Sequence, residues 1–183
     1  MKTIGIISDT HIRPGSARQM PARVFDDFAG VDFILHGGDL TDVSVLSDLE
    51  AIAPTFGVHG NNDDWGLLDK LPATRFLTVE GCNLGLVHGH VPRGPRAPAL
   101  NVPGNTHTAG NALSHFLDNG VPTVDCVIFG HSHLPVIFWH EIAGRNVLLF
   151  NPGSPTDRRY SPHFGLGLLR VDGTRLDSEL ILW

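Results

Sequence analysis

The sequence predicts a mixed α/β fold that begins with parallel strands and ends in hairpins. Three apolar runs, TIGIIS (3–8), VDFILHGGD (31–39) and TFGVHGNND (55–63), each open into a polar turn. Segments with helical spacing separate these runs, and such alternation predicts parallel strands with helices packed across their faces. After residue 73 the strand candidates follow one another closely, which favours antiparallel pairing.

Two helices are predicted between the early strands, at residues 21–30 and 42–53. The first places Val24 and Phe28 on one face, and the second places apolar residues at helical spacing, namely Val45, Leu46, Leu49 and Ile52. The order up to residue 63 is therefore strand, helix, strand, helix, strand.

The second half predicts a hairpin, a helix and five further strands. The hairpin covers residues 73–90 and turns near Glu80 to Asn83. The helix covers residues 108–120, with Thr108 as its N-cap and Gly120 at its C-terminal stop. The strands are expected at residues 124–129, 135–144, 146–154, 164–173 and 174–183.

Residues 91–107 are predicted to form a long loop. This segment holds four prolines and two glycines, which prevent a regular element of any length. A loop of about 17 residues inside a compact domain is more often a functional rim than a passive connector. We therefore expect this segment to border a site.

Composition predicts one domain over residues 1–183 in a cytoplasmic protein. The chain has 183 residues, of which 42% are hydrophobic, and carries a net charge of −6, which argues against stable binding to duplex nucleic acid. It has only two cysteines, and its N-terminus shows no signal-peptide pattern. No apolar run approaches the roughly 20 residues that a membrane span requires.

Polar side chains follow five of the predicted strands, at the point where each strand ends. In open α/β sheets, ligand sites lie beyond the carboxyl ends of the strands, so distant turns can meet in one crevice. Glycines beside these side chains allow sharp turns or close approach of an ion. The five motifs are SDTH with Asp9 and His11, GGD with Asp39, GNND with Asn61 and Asp63, VHGH with His88 and His90, and GHSH with His131 and His133.

The donor types in these motifs predict a site for divalent transition metals. Carboxylate, amide and imidazole ligands together suit manganese, iron, cobalt, nickel or zinc, whereas a thiolate site would need more cysteines. Magnesium alone would favour mainly oxygen ligands.

The ordered set of motifs resembles the calcineurin-like metallophosphoesterase superfamily, whose signature runs D-x-H, G-D, G-N-x-D, H and G-H-x-H. The short length, the GNND motif and the NPGS motif (151–154) look like its small YfcE-like phosphodiesterase branch. The resemblance covers the chain from Asp9 to Ser154. It implies a metallophosphoesterase-type α/β sandwich, with two facing mixed β-sheets flanked by helices.

The resemblance also implies a ligand set for two divalent metal ions, with manganese favoured and iron, nickel, cobalt or zinc as alternatives. It gives the first ion Asp9, His11 and His133, and the second Asn61, His88 and His131. Asp39 would bridge the two ions. The reaction implied is in-line attack on phosphorus by a bridging hydroxide, with the ions about 3.5 to 4 Å apart.

The chain departs from the family pattern at Asn62, where larger members have a histidine. Asparagine can donate a hydrogen bond but supplies no proton, so leaving-group protonation falls to His90, to water or to neither. Asp39, Asn62 and His90 are therefore the catalytic candidates, and good leaving groups are expected. Asp63 is expected to orient a neighbouring histidine.

Two further groups of residues are assigned more loosely. Arginines in loops near the presumed mouth suit phosphate or face solvent, and these are Arg93, Arg96, Arg158 and Arg159. Residues 151–154 are expected to form a tight turn whose backbone lines the site and whose side chains contribute little. Trp65, Trp139 and Trp183 are expected in the core or in an interface.

Two functions remain open. The first is a metal-dependent phosphoesterase, favoured as a phosphodiesterase, that acts on a phosphate-ester small molecule or a nucleotide-like substrate. The second is a catalytically weak binding scaffold for a protein partner, as in the phosphoesterase-like subunit of retromer. The complete ligand set favours the enzyme. A homo-oligomeric contact through Trp139 to Ile142 is a further expectation.

Overall fold

The structure, a computed structural model, describes residues 1–94, 97 and 100–183. Arg96 lies outside these residues. The helices of the described part are α1 (Ala22–Asp27), α2 (Ser44–Glu50), α3 (Trp65–Leu68) and α4 (Thr106–Ser114). The strands are β1 (Lys2–Ile7), β2 (Phe33–His36), β3 (Thr55–Gly57), β4 (Thr74–Val79), β5 (Cys82–Val87), β6 (Leu117–Asp118), β7 (Val121–Pro122), β8 (Cys126–Ile128), β9 (Val136–Ile142), β10 (Arg145–Asn151), β11 (Gly165–Asp172) and β12 (Arg175–Leu182).

Two five-stranded mixed sheets form the centre of the fold. The first has the order β12-β11-β1-β2-β3, with β1, β2 and β3 parallel and the other two strands antiparallel to their neighbours. The second has the order β4-β5-β8-β10-β9, in which the three inner strands are parallel and the two edge strands antiparallel.

The two sheets share one apolar core, and helices cover their outer faces. Ile4, Ile6 and Leu35 of the first sheet pack in one cluster with Leu84 and Phe150 of the second. A second cluster joins the other face of the first sheet to α1, α2 and α3, and a third joins the second sheet to α4. Burial of each such side chain contributes about 1.5–3 kcal/mol. The predicted α/β sandwich is confirmed.

The predicted helix at residues 108–120 is shorter and begins earlier than expected. It is α4, and Asn105 rather than Thr108 precedes its first residue. The chain beyond it forms the small β6–β7 hairpin, which turns at Asn119 and Gly120. Both residues have positive φ, at 48° and 82°, as a type I′ turn requires. The Asn119-Gly120 pair is a signal for a hairpin, which the prediction of a helix up to Gly120 did not take into account.

Some predictions about surface and rim residues are wrong. Trp65 is 82% exposed, so it lies outside the core, and its alternative place in an interface stays a prediction. Leu100 and Val102, within the predicted loop at 91–107, are buried against α4, and the last two residues of that segment belong to the helix. Trp139 is half exposed on the edge strand β9, and the oligomeric contact there stays a prediction.

Within the described residues, no helix has the length and apolar character that crossing a membrane demands.

Candidate metal centre

The parallel strands of both sheets place the predicted donors at one edge of the sandwich. Each donor lies one to five residues beyond the carboxyl end of β1, β2, β3, β5 or β8. We call these seven side chains the donor cluster: Asp9, His11, Asp39, Asn61, His88, His131 and His133.

One part of the donor cluster consists of Asp9, His11 and His133. The Nε2 atoms of the two histidines lie 3.1 Å apart, and Asp9 Oδ1 lies 3.2 Å from His133 Nε2 and 3.8 Å from His11 Nε2. Asp9 and His133 are fully buried. Each of the three offers a donor atom within 4.8 Å of the other two, which is close enough for one cation.

A second part surrounds His88. Its Nε2 lies 3.2 Å from Asn61 Oδ1, and its ring centroid lies 5.2 Å from that of His131. Asp9, Asp39 and His88 also offer donor atoms within 4.8 Å of one another. Asp9 therefore lies close to both parts.

Asp39 lies between the two parts. Its Oδ2 is 3.5 Å from His11 Nε2 and 3.2 Å from His88 Nε2. Asn62 holds this carboxylate through its backbone N–H, 2.8 Å from Oδ1, and its side-chain amide, 2.6 Å from Oδ2. The position of Asp39 is the one that a bridging ligand would need.

The backbone at the donors is left-handed. Five of the seven have positive φ without being glycine, with φ of 55° at Asp9, 46° at His11, 57° at Asp39, 67° at His131 and 60° at His133. Such a conformation costs a residue with a Cβ about 1 kcal/mol or more. In the pairs Asp9/His11 and His131/His133, this conformation turns both side chains toward the donor cluster.

Backbone carbonyl groups orient two of the histidines. The Nδ1 atoms of His88 and His133 hydrogen-bond the carbonyl oxygens of Gly37 and Asp157, respectively. In both rings this directs Nε2 toward a carboxylate, as is common for metal-binding histidines.

The electrostatics of the donor cluster keep its carboxyl groups ionised. Burial alone would raise the pKa of Asp39, but the hydrogen bond with His88, the charge of that ring and the Asn62 donors lower it. The same balance, with His133 as the hydrogen-bond partner, lowers the pKa of Asp9. Burial would lower the pKa of His88, but Asp39 and Asp9 raise it to about 9.

The donor set fits divalent cations. Two ionised, buried carboxylates with imidazole and amide neighbours match the ligand types of transition metals. His131 Nδ1 is buried and has no hydrogen-bond partner in the described part of the chain. A buried nitrogen without a partner is costly, and a metal bond would satisfy it.

His90 lies beside the donor cluster. Its ring centroid is 5.4 Å from that of His88 and 6.1 Å from that of His131. Burial, and then the charges of His88 and His131, lower the pKa of His90 to about 4. The ring is therefore neutral at neutral pH, and its buried Nδ1 has no partner among the described residues.

Asp63 does not orient a histidine, which corrects the expectation from the sequence. Its Oδ2 accepts the backbone N–H groups of Asp39 and Gly60 at 3.0 and 2.7 Å, and its Oδ1 accepts that of Thr41 at 2.7 Å. It fixes the backbone of the turn that carries Asp39 instead.

The side chains of residues 151–154 contribute more than expected. Buried Ser154 donates its hydroxyl to the Asp9 carbonyl at 2.7 Å and accepts the backbone N–H of Asp157 at 2.9 Å. Asn151 donates to the Gly130 carbonyl at 3.0 Å. Both side chains therefore tie loops of the donor cluster together.

A cavity of about 480 Å³ opens beside the donor cluster. We call it the arginine cavity, because its lining includes Arg13, Arg18 and Arg159, together with His11, Asn62 and Asp157. Of the predicted arginines that the structure describes, only Arg159 lines it. The described residues of 91–107 are absent from its lining, so this cavity gives no support to the predicted rim.

Two of the other predicted arginines contact different parts of the surface. Arg93 donates to the His115 carbonyl at 3.3 Å, and Arg158 donates to the Pro162 carbonyl at 2.9 Å. Sequence reasoning missed Arg13, although it stands only two residues beyond His11.

An α/β sandwich with acidic and imidazole donors at the carboxyl ends of its parallel strands defines a fold with a candidate metal-binding site. The sequence profile of the calcineurin-like phosphoesterase superfamily domain matches residues 1–174. A probable metallophosphoesterase of Methanothermobacter thermautotrophicus is 40% identical over 180 residues, which cover 97% of this chain and 91% of the relative. The chain belongs to the calcineurin-like phosphoesterase superfamily.

Solved structures agree with this fold. Vps29 of Entamoeba histolytica, in a crystal structure with zinc, has a TM-score of 0.68 at 20% identity, with 98% of each chain covered. A structure described as a novel archaeal phosphodiesterase has a TM-score of 0.64 at 20% identity, and covers 98% of this chain and 99% of its own. At this identity the likeness concerns the fold.

Proposed function

We propose that the protein is a metal-dependent phosphodiesterase whose donor cluster holds two divalent cations. The observation that carries the proposal is the position of Asp39, whose Oδ2 lies within 3.5 Å of histidine nitrogens from both parts of the cluster. Family membership supports phosphate-ester hydrolysis, and the archaeal neighbour supports the choice of a diester. When bound, the cations would supply hydroxide at neutral pH for in-line attack and neutralise charge on the phosphoryl oxygens.

The chain's own residues prepare the site for this chemistry. Asp9 and Asp39 are kept ionised by their neighbours, so they attract cations at neutral pH. The hydrogen bonds of His88 and His133 to backbone carbonyls leave Nε2 of each ring directed at the ligand position. Asn62 keeps the carboxylate of Asp39 in place.

The site favours substrates with good leaving groups. Asn62 has no proton to give, and His90 is neutral at neutral pH because its pKa is about 4. Neither side chain is then a strong acid for the departing oxygen. Diesters with acidic alcohols or phenols as leaving groups need no such acid.

The test is hydrolysis of bis(p-nitrophenyl) phosphate by protein stripped with a chelator and reloaded with manganese. Activity should depend on added metal, and Asp39→Asn should lower kcat/KM about 100-fold or more. Asp48→Asn, at an exposed position on α2, is the matched control and should retain wild-type activity. A wild-type protein that stays inactive with every metal would instead support the binding-scaffold alternative.

A further inference from the structure

We infer that the arginine cavity binds a second anionic group of the substrate, so that the preferred phosphodiester carries an additional phosphoryl group. This inference rests on the proposed function and names its substrate class. Three features support it: the cavity adjoins the donor cluster, its described lining carries excess positive charge, and that lining holds guanidinium groups instead of aromatic rings.

The arginine cavity adjoins the donor cluster directly. His11 lines the cavity and also has its Nε2 3.1 Å from that of His133. Asn62 lines the cavity too, and its amide lies 2.6 Å from Asp39 Oδ2. The cavity therefore offers space for a further group of a substrate whose reacting phosphate lies at the cluster.

The lining carries excess positive charge. Three guanidinium groups face one carboxylate, that of Asp157. Arg18 donates to Asp157 Oδ2 at 3.2 Å and to the His11 carbonyl at 3.4 Å, which fixes its position. Arg13 and Arg159 form no ion pair within the described residues. Three of the 13 lysines and arginines of this acidic chain thus meet at one cavity.

The lining matches a phosphoryl group rather than an aromatic ring. The described residues around the cavity include no phenylalanine, tyrosine or tryptophan that could stack on a base. Guanidinium groups instead offer paired donors that match phosphate oxygens. A volume of about 480 Å³ is within the range of small-molecule sites.

Two matched substrates test the inference. Thymidine 5′-(p-nitrophenyl phosphate) and its 3′-phosphorylated counterpart differ only in the second phosphoryl group. With manganese-loaded protein at fixed ionic strength, kcat/KM should be about tenfold higher for the counterpart. The double variant Arg13→Gln, Arg159→Gln should bring this ratio to within about twofold of one. Arg175→Gln, at the start of β12 and at the opposite end of its sheet, should keep the wild-type ratio.

A binding measurement separates this inference from the proposed function. By titration calorimetry, thymidine 3′,5′-bisphosphate should bind about tenfold more tightly than thymidine 5′-monophosphate, and the double variant should lose the difference. A protein that hydrolyses both substrates without preference would overturn the inference and leave the proposed function intact. One that hydrolyses neither substrate, yet keeps the arginine-dependent binding difference, would support the anion site and overturn the phosphodiesterase.

Discussion

Asp63 Oδ2 accepts the backbone N–H of Asp39 at 3.0 Å, so one buried carboxylate holds another in position through the main chain. Asp63 also binds the N–H groups of Thr41 and Gly60. Asp63→Asn would turn an NH₂ group toward these donors and leave at least one unsatisfied. We expect a loss of about 1–3 kcal/mol in the free energy of unfolding and a 10- to 100-fold weaker metal affinity, on the order seen for outer-shell partners.

Urea unfolding of metal-free protein and calorimetric titration with manganese measure these two effects. Asp48→Asn serves again as the exposed control. Unchanged affinity in the Asp63 variant would show that the turn keeps its shape without this carboxylate.

Gly60→Ala should displace Asp39. A Cβ at this position would lie 2.1 Å from Asp39 Oδ1 and 2.6 Å from the Asp39 backbone nitrogen, so both the carboxylate and the backbone of Asp39 must move. We expect hydrolysis to fall about 100-fold. Gly66→Ala, where the nearest atom is the tip of Asp64 at 3.3 Å, is the control. Similar activities of the two variants would contradict the assignment of Asp39.

Ser154→Ala should loosen the loop that carries Asp9. The variant leaves the part-buried N–H of Asp157 and the carbonyl of buried Asp9 without their hydroxyl partner, which costs about 1–3 kcal/mol. Thermal unfolding of metal-free protein measures the loss, with Ser47→Ala, at an exposed position of α2, for comparison. Equal midpoints for the two variants would refute the role of the hydroxyl.

His36 should make metal-free protein sensitive to acid. Burial lowers the pKa of this fully buried ring to about 3, from an ordinary 6.5. The unfolded chain therefore binds a proton that the folded chain excludes. The contribution of His36 to stability is full above pH 6.5 and falls as the pH drops toward 3, by at most about 1.4 kcal/mol per pH unit. His36→Gln should make this dependence less steep in urea unfolding with a chelator present, while His90, whose pKa is also lowered, keeps its share.

Exposed His163 supplies the control, because His163→Gln should keep the wild-type slope. A His36 variant that also keeps that slope would assign the acid sensitivity to other groups.

Local pattern was sufficient for most of the fold. The strands from β1 to β3 and from β8 to β12 follow continuous or alternating apolar runs that any pairing must bury. Helix α3 has four residues and the β6–β7 hairpin has two per strand, which is too short for periodicity to distinguish them. The usable local signals for these short elements are the Asn119-Gly120 pair of the hairpin and the N-cap residue Asp64 before α3.

In the candidate site, the donor residues could be predicted from the sequence but the contacts that support them could not. Donors such as Asp9 and His131 could be predicted because each follows a strand whose end is visible in the sequence, and the distances now place them together. The hydrogen bonds that hold the donor loops in place could not be predicted, because they join residues that are far apart in the sequence. Ser154 and Asp9, for example, are 145 residues apart.

The left-handed backbone at five donors lowers the stability of the folded chain, while the side chains at these positions are the ones that the proposed chemistry needs. Glycine would relieve the strain at each position but would remove an imidazole or a carboxylate. Selection for heat resistance alone is therefore expected to replace donor side chains at these positions before it changes residues packed between the sheets. Engineered variants that melt at higher temperature should be screened for turnover from the first round.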